Sequence, residues 1–561
     1  SIDSPQEFWA DQANELLYWH EPWTTVTQHS FKAAKTEWFT DAKLNVAFNC
    51  IDRHLEKKGD QTAIIWEGDE PDEDKRITYN ELHKEVGKLS NALKARGIKK
   101  GDRVCIYMPM VPEAAYAMLA CARIGAIHSV VFGGFSPDSI KDRILDSDCR
   151  VVITADEGVR GGKTIPLKAN VDKALKHCPN VHSVFVVKRT NADITWNEAR
   201  DIWYHEAVET MSEECDPELM DAEDPLFILY TSGSTGKPKG VLSSQKAVIA
   251  TLFSWACFSS IMKEVDNQKN PNTPPLLDEA SAILLCVPLF HVTGSHAGMF
   301  MSILVGRKIV MMKKWDAGIA LQLIEQEKIS DITGVPTQTW ELLNHPERLN
   351  YDLSSLKTLG AGGAPRPAEH VKQLDSEFEA RPGIGYGLSE TNALGALGSG
   401  DEYVDHPQST GRVVPPLTEI RIIDENWNEL KEGEVGEIAI KSLGNMICYW
   451  KNPEATKECM SDDGWFKSGD LGKFEGPFLY ILDRVKDIVI RGGENIACPE
   501  VEAAMYEHKD VLEAVAFGIS DERLGEVLCA AIFLREDSSL TSDELQSFLA
   551  TRLASFKIPL N

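Results

Sequence analysis

Residues 101–135 read GDRVCIYMPMVPEAAYAMLACARIGAIHSVVFGGF. The first eight residues end in a short apolar run, VCIYM, which fits a buried strand. The stretch from Val111 to Phe135 is the most apolar of the chain, yet it carries Glu113, Arg123 and His128 and is broken by glycines. It therefore reads as a core helix running into a second buried strand, not as a membrane span. Strand, helix and strand in this order make a βαβ unit, whose two strands lie parallel. Outward from this unit the same alternation recurs in the apolar runs 149–154 (CRVVIT) and 181–187 (VHSVFVV), then 282–287, 308–312 and 330–334. The fold class predicted is α/β, with parallel-rich sheets covered by helices on both faces. After about Pro415 the runs shorten and alternate (TEIRIIDEN, GEIAIKS), which predicts a β-rich unit. A last α+β piece follows a charged turn at 483–487. The first 40 residues, with Trp9, Trp19, Trp23 and Trp38, read as an arm or small helical cap, and the proline-bearing segment 263–276 (KEVDNQKNPNTPPL) reads as an exposed loop.

Composition narrows the function classes. The chain has 561 residues, 43% hydrophobic and 26% charged, enough to bury a large core. Its 58 basic against 86 acidic residues give a formal charge of −28, which argues against nucleic acid or an anionic membrane as partner. A polyanionic ligand needs a local site that overrides that field. The 12 cysteines form no CxxC pair and no regular spacing, so they suit a reducing, cytoplasmic setting better than a disulfide or metal framework. SIDSPQEFWADQ at the start has no apolar core of a secretory leader.

The strongest chemical signal is Tyr230-Thr-Ser-Gly-Ser-Thr-Gly-Lys-Pro-Lys-Gly240, directly after the apolar run Leu226–Leu229. A strand feeding a loop of Gly, Ser and Thr with two lysines offers backbone N–H groups, hydroxyls and cations together, which suits a polyphosphate. It is not a Walker A loop: Thr231 stands at the first glycine position, and Pro238 replaces the hydroxyl that would meet Mg²⁺.

This segment resembles the phosphate loop of the adenylate-forming acyl-CoA synthetases, luciferases and peptide-synthetase adenylation domains. Gly360-Ala-Gly-Gly-Ala-Pro365, Tyr386-Gly-Leu-Ser-Glu-Thr391, Gly464-Trp-Phe-Lys-Ser-Gly-Asp470 and Asp483-Arg-Val-Lys-Asp487 resemble the family's other motifs in the family's order. The resemblance implies an ATP/AMP site of Thr231, Ser232, Gly233, Ser234, Thr235, Gly236 and Lys237 with Gly362, Gly363, Ala364, Pro365, Tyr386, Gly387, Thr391, Asp470 and Arg484. Within it Tyr386 would stack on adenine, Glu390 face Mg²⁺, Thr391 lie near the α-phosphate, and Asp470 with Arg484 take the ribose hydroxyls. Thr231, Lys237 and Glu390 would be catalytic. It further implies a large AMP-binding domain over 1–485, including the β-rich part from about 415, and a small mobile C-terminal domain over 486–561, with Lys486 at the hinge. The activity implied is AMP-forming acid–thiol ligation: a carboxylic acid and Mg-ATP give acyl-AMP and pyrophosphate, and CoA then displaces AMP. The partners are these small molecules, with no nucleic acid and no membrane span; sequence leaves the oligomeric state open.

The two parts of the chain resemble different relatives. Up to about residue 242, stretches such as FWADQANELLYWHEPW and ITADEGVRGGKTIPLK resemble acetyl- and propionyl-CoA synthetases. That likeness implies a CoA site at Phe132, Gly133, Gly134, Arg160 and Lys163, joined by Gly492 and Gly493. From Leu242 onward, Pro288-Leu-Phe-His-Val-Thr-Gly294 and the later motifs resemble medium- and long-chain fatty-acyl-CoA ligases, so a chimera is one hypothesis and a natural divergent lineage the other. Acetate enzymes close their pocket with a Trp where this chain has Gly387 and a bulky aliphatic residue where it has Gly362. With His291 these positions form the acyl pocket expected, and each added methylene buried there contributes up to about 0.8 kcal/mol. The expectation is a medium-chain or bulkier acid; the alternative is acetyl- or propionyl-CoA synthetase activity. His291 and His296, five residues apart, fit no usual metal pattern.

One family feature is missing from the sequence given. The resemblance calls for a lysine in a Pro-Lys-x-x-x-Gly-Lys segment after a Phe-Lys-x-Pro stretch, but Phe556-Lys-Ile-Pro559 is followed only by Leu560 and Asn561. Lys557 precedes that motif and is not its lysine. Without the segment, slow adenylation or a nucleotide-binding but impaired scaffold is expected. Loading of a carrier-protein thiol is a further alternative, against which the Phe132–Gly134 and Arg160/Lys163 features favour free CoA.

Overall fold

A computed structural model describes the chain except for residues 1–3, 31–34, 69–72, 161–162, 232–237, 270–280, 485–488, 492–493, 497, 522–524, 536–537, 554–556 and 561. Strand Arg103–Met108 pairs in parallel with strand Ile127–Phe132, and helix Pro112–Arg123 connects them. Pro112 opens this helix, where its missing N–H costs nothing. Every helix residue but Glu113 is buried, so its apolar surface runs all round, as a helix inside a large protein requires. Arg123 at its end is neutralised by a two-pronged pairing with the Asp52 carboxylate at 2.7 and 2.8 Å.

Among the described residues, eight strands extend this unit into one sheet, in the order 201–203, 183–187, 151–155, 103–108, 127–132, 225–231, 239–244 and 448–449. The first six run parallel; the last two are antiparallel additions. A second sheet of nine strands has a parallel centre of Arg381–Tyr386, Thr358–Gly362, Asp331–Gly334, Ala282–Leu285, Lys308–Met312 and Thr62–Glu67. The largest core cluster draws on strands of both sheets and the helices between them. The C-terminal ends of parallel strands, where ligands of α/β folds collect, carry the loops after Met108, Phe132, Gly362 and Tyr386. The fold is thus mixed α/β, with a large parallel-rich body and a small C-terminal domain.

Thr418–Ile423, Gly436–Ser442, Phe466–Glu475 and Phe478–Arg484 form the β-rich part, a four-stranded antiparallel sheet. In the small C-terminal domain, strands 489–491, 494–496, 511–521 and 525–534 pack with helices Cys498–Tyr506 and Ser542–Leu549 around Val501, Met505 and Leu549. Two expectations need correction. The N-terminal arm is a helix, Pro5–Leu16, followed by a β-hairpin of Thr25–Ser30 and Lys35–Thr40; the strand signal is hidden by charged residues in KTEWFT. The expected loop at 263–276 is helical as far as Lys269, because helix Gln245–Lys269 runs past the apolar segment; the rest lies outside the described residues.

Candidate active site

Strands Thr358–Gly362 and Arg381–Tyr386 lie side by side in parallel, with Gly362 opposite Gly385. After Gly362 the chain leaves the sheet at Gly363, Ala364 and Pro365, all exposed; Gly363 has φ +77° and open space around its missing Cβ. After Tyr386 it turns inward instead. The Tyr386 hydroxyl donates to Asp470 at 2.7 Å, and Arg484 Nε lies 3.6 Å from the other Asp470 oxygen. Asp470 and Arg484 face each other across an antiparallel strand pair, which explains how two motifs fourteen residues apart meet. The structure therefore gathers Tyr386, Asp470 and Arg484 from three separate sequence motifs. Burial, with the Asp470 charge beside it, pushes the Tyr386 phenol far above its usual range, so it remains a donor.

Ser389–Thr391 form one tight helical turn, in which Thr391 is fully buried and its hydroxyl accepts from the Leu388 N–H at 3.1 Å. Glu390 is buried; its Oε1 accepts from the Tyr449 hydroxyl at 2.7 Å and its carbonyl from the Met446 N–H at 2.7 Å. Burial raises the Glu390 carboxyl pKa; the Tyr449 hydrogen bond and the Lys239 charge oppose that rise without cancelling it. Lys239 Nζ stands 4.9 Å from the centre of the Tyr449 ring, and Lys239 lies opposite Thr231 in the strand pair that flanks residues 232–237. Ser232–Lys237, named for that loop, lie outside the described residues, as do Lys486, Gly492 and Gly493.

Sequence reading missed Lys239 and Tyr449 as site residues. Lys239 was one of two lysines in the loop and could have been named; Tyr449 belongs to no motif and reaches Glu390 only through the pairing of strand Cys448–Tyr449 with Val241 and Leu242. A buried carboxylate is the kind of group that holds Mg²⁺, which is commonly bound by one or two protein carboxylates plus substrate phosphates. No cluster of three or more His, Cys, Asp or Glu occurs among the described residues.

Of the segments expected to meet CoA, the Phe132–Gly134 loop and the hairpin of Arg160 and Lys163 lie near the end of strand Arg103–Met108. A Cβ on Gly133 would sit 2.9 Å from the Met108 carbonyl oxygen, and one on Gly158, at the base of the hairpin that pairs Arg160 with Lys163, lies 3.6 Å from Pro109. Phe132 packs on Phe290 with ring centres 4.8 Å apart, so the 288–294 segment touches this loop through Phe290. Gly134 follows Gly133 in the loop, and Lys163 is exposed. His291 is exposed too, its Nδ1 3.1 Å from Thr293 Oγ1.

The reason given for Gly387 changes. A Cβ there would lie 2.3 Å from the Ala393 carbonyl carbon, so a side chain would run into backbone and not into a pocket. In this conformation close packing leaves room for glycine alone at position 387. At Gly362 a Cβ would meet the Gly385 carbonyl, its oxygen at 3.2 Å and its carbon at 4.0 Å. Lys557 holds both oxygens of Glu500, at 2.8 and 2.6 Å.

Three family models match the chain. The model described as AMP-binding enzyme matches residues 51–450, that for the acetyl-coenzyme A synthetase N-terminus residues 1–50, and that for the AMP-binding enzyme C-terminal domain residues 500–561. The chain belongs to the AMP-binding enzyme family, as an AMP-forming acyl-CoA synthetase that uses ATP, Mg²⁺ and CoA. It is similar to acetyl-coenzyme A synthetase 2 of Pseudomonas aeruginosa, 40% identical over all of this chain and 87% of the relative. It is also similar to the acetyl-coenzyme A synthetases of Saccharophagus degradans (65% identical, 95% of this chain, 82% of the relative) and Halorhodospira halophila (39%, 98% and 85%). No described helix is long and apolar enough to cross a membrane.

Proposed function

We propose that the acid activated is short, acetate foremost, and that the enzyme works in the cytoplasm. The observation that carries this reading is the likeness to acetyl-coenzyme A synthetases over the whole chain, on both sides of residue 242. It favours the alternative over the medium-chain expectation.

In this reading the carboxylate oxygen of the acid attacks the α-phosphorus of ATP, the bond to the pyrophosphate oxygen breaks, and acyl-AMP forms. The CoA thiol then attacks the acyl carbon, and AMP leaves with the bond electrons. Glu390 would hold Mg²⁺, which supplies charge neutralisation at the phosphates when bound. Lys239 adds a fixed cation on the same side, and Tyr449 holds the Glu390 carboxylate in place. Tyr386, Asp470 and Arg484 form the nucleoside side: an aromatic body, a carboxylate for hydroxyls, and a cation beside that carboxylate. The loop Phe132–Gly134, with Arg160 and Lys163, receives CoA.

The test is kcat/KM with Mg-ATP and CoA for acetate, propionate, hexanoate and octanoate. Acetate is expected to lead. A preference for hexanoate would overturn the short-acid reading, and AMP binding without pyrophosphate release from any acid would leave a nucleotide-binding scaffold.

A further inference from the structure

His296 is a buried titratable group that the reaction outlined above does not use. It lies in Thr293–Phe300, a stretch of wider π-type helical turns, a departure from α-helix often found at functional sites. Its Nε2 is 3.0 Å from Asn392 Oδ1, and the Asn392 amide N–H₂ donates to the Gly444 carbonyl at 2.8 Å. A carbonyl can only accept, so the Asn392 orientation is fixed, and its Oδ1 must accept from His296. The imidazole therefore carries its proton on Nε2, and its Nδ1 lies 2.9 Å from Ser295 Oγ, whose hydroxyl also lies within donating distance, 3.1 Å, of the His291 carbonyl. Burial lowers the His296 pKa to about 4, which keeps the ring in this neutral tautomer.

Asn392 is the residue directly after the Glu390–Thr391 pair, has φ +52°, and is followed by Ala393 at φ +64°. Two consecutive non-glycine residues in the left-handed region persist only where surroundings over-determine them. Here the surroundings are two side-chain hydrogen bonds on Asn392, the bond from the Ala393 N–H to the Leu388 carbonyl at 2.7 Å, and the contact with Gly387.

We propose that His296 is a positioning residue: through Asn392 it locks the turn that presents Glu390 and Thr391, and so ties the helix behind His291 to the nucleotide side of the site. This rests on the roles proposed above for Glu390 and Thr391. The chain of contacts gives the turn one discrete arrangement, set from the helix Thr293–Phe300.

The experiment compares His296→Leu, His296→Gln, Asn392→Gly and the His296→Leu/Asn392→Gly double variant. Pyrophosphate release, KM for Mg-ATP and for CoA, the AMP dissociation constant and the melting temperature are measured for each. Leucine keeps apolar bulk but removes the donor; glutamine retains an N–H donor; glycine removes the acceptor while suiting the left-handed backbone. Expected is a fall of roughly ten- to a hundredfold in kcat for pyrophosphate release in His296→Leu, with KM for CoA unchanged. His296→Gln recovers most of it, and the double variant loses no more than the worse single variant, because the two residues act as one unit. Losses that multiply, or a lowered melting temperature with kcat unchanged, would overturn the proposal. If the unaltered protein releases no pyrophosphate with any acid, the functional reading fails. Positioning is then judged on AMP affinity: equal weakening in His296→Leu and Asn392→Gly supports it, and unchanged affinity overturns it.

Discussion

Two neighbouring strands end in glycine-bearing turns that solve opposite problems. Beyond Gly362 the chain runs outward, exposed, and Gly363 has nothing within 4 Å of where its Cβ would be. Beyond Tyr386 it runs inward, and Gly387 has the Ala393 backbone 2.3 Å from that point. The first glycine supplies a left-handed turn and leaves a face open to a ligand; the second permits two stretches of backbone to touch. Identical residues at adjacent strand ends thus carry different information, and only one of them speaks of a binding surface.

The sharpest way to break this contrast is a side chain at position 387. Even Gly387→Ala places a methyl against backbone that cannot swing aside, and a loss of about 3 kcal/mol or more is expected in urea unfolding. Gly387→Trp would be worse and would not produce an acetate-type pocket floor. A stable Gly387→Trp enzyme with a shortened acid preference would show that a pocket does open there.

Glu390 comes next. Glu390→Gln removes the charge while keeping an acceptor for Tyr449, and pyrophosphate release should fall about 10²–10³-fold. Stability should move the other way. The folded carboxyl pKa lies above the unfolded one because of burial, so the folded state holds its proton more tightly. Its contribution is fully present below the unfolded pKa and is lost as pH rises through the folded pKa. At neutral pH the unaltered enzyme therefore bears the cost of a buried charge, and Glu390→Gln should raise the melting temperature there while the gain vanishes in acid. A fall in melting temperature at neutral pH would mean that the carboxylate is held by more than Tyr449 and Lys239. On the nucleoside side, Tyr386→Phe removes the hydrogen bond to Asp470 and should cost about 1 kcal/mol of AMP affinity by calorimetry.

Much of this was legible in the chain itself. The βαβ reading of residues 101–135 needed only an apolar run, a helix of suitable length and another run, and the strands Arg103–Met108 and Ile127–Phe132 follow it closely. That Tyr386, Asp470 and Arg484 serve one nucleotide was implied by the resemblance of their three motifs to the adenylate-forming family, and not by composition or spacing. Tyr449 was not legible: its contact with Glu390 depends on a two-residue strand added at a sheet edge, and no local pattern encodes such a pairing. Nor was the backbone at Asn392 and Ala393. The left-handed pair is imposed by long-range bonds from His296 and Gly444, and Ala393 has no intrinsic preference for it. The same holds for Gly387, whose partner is six residues along but on a turn that only the folded chain makes.

The smallest effects sharpen the comparison most, because they separate conformation from contact. Gly363→Ala adds a methyl into open space at φ +77°, so only backbone strain is charged, about 1 kcal/mol of stability by thermal unfolding. Ala393→Gly is the reverse substitution on the inward turn, at φ +64°. Relief of strain there is offset by the greater freedom glycine gives the unfolded chain, so the net gain should be only a few tenths of a kcal/mol. Equal and opposite changes at the two positions would mean that left-handed backbone alone distinguishes the turns. A clear loss in Ala393→Gly would mean that the Ala393 methyl, and not just its backbone, helps hold the turn on which Glu390 sits, and the inward turn would then be a packed device throughout.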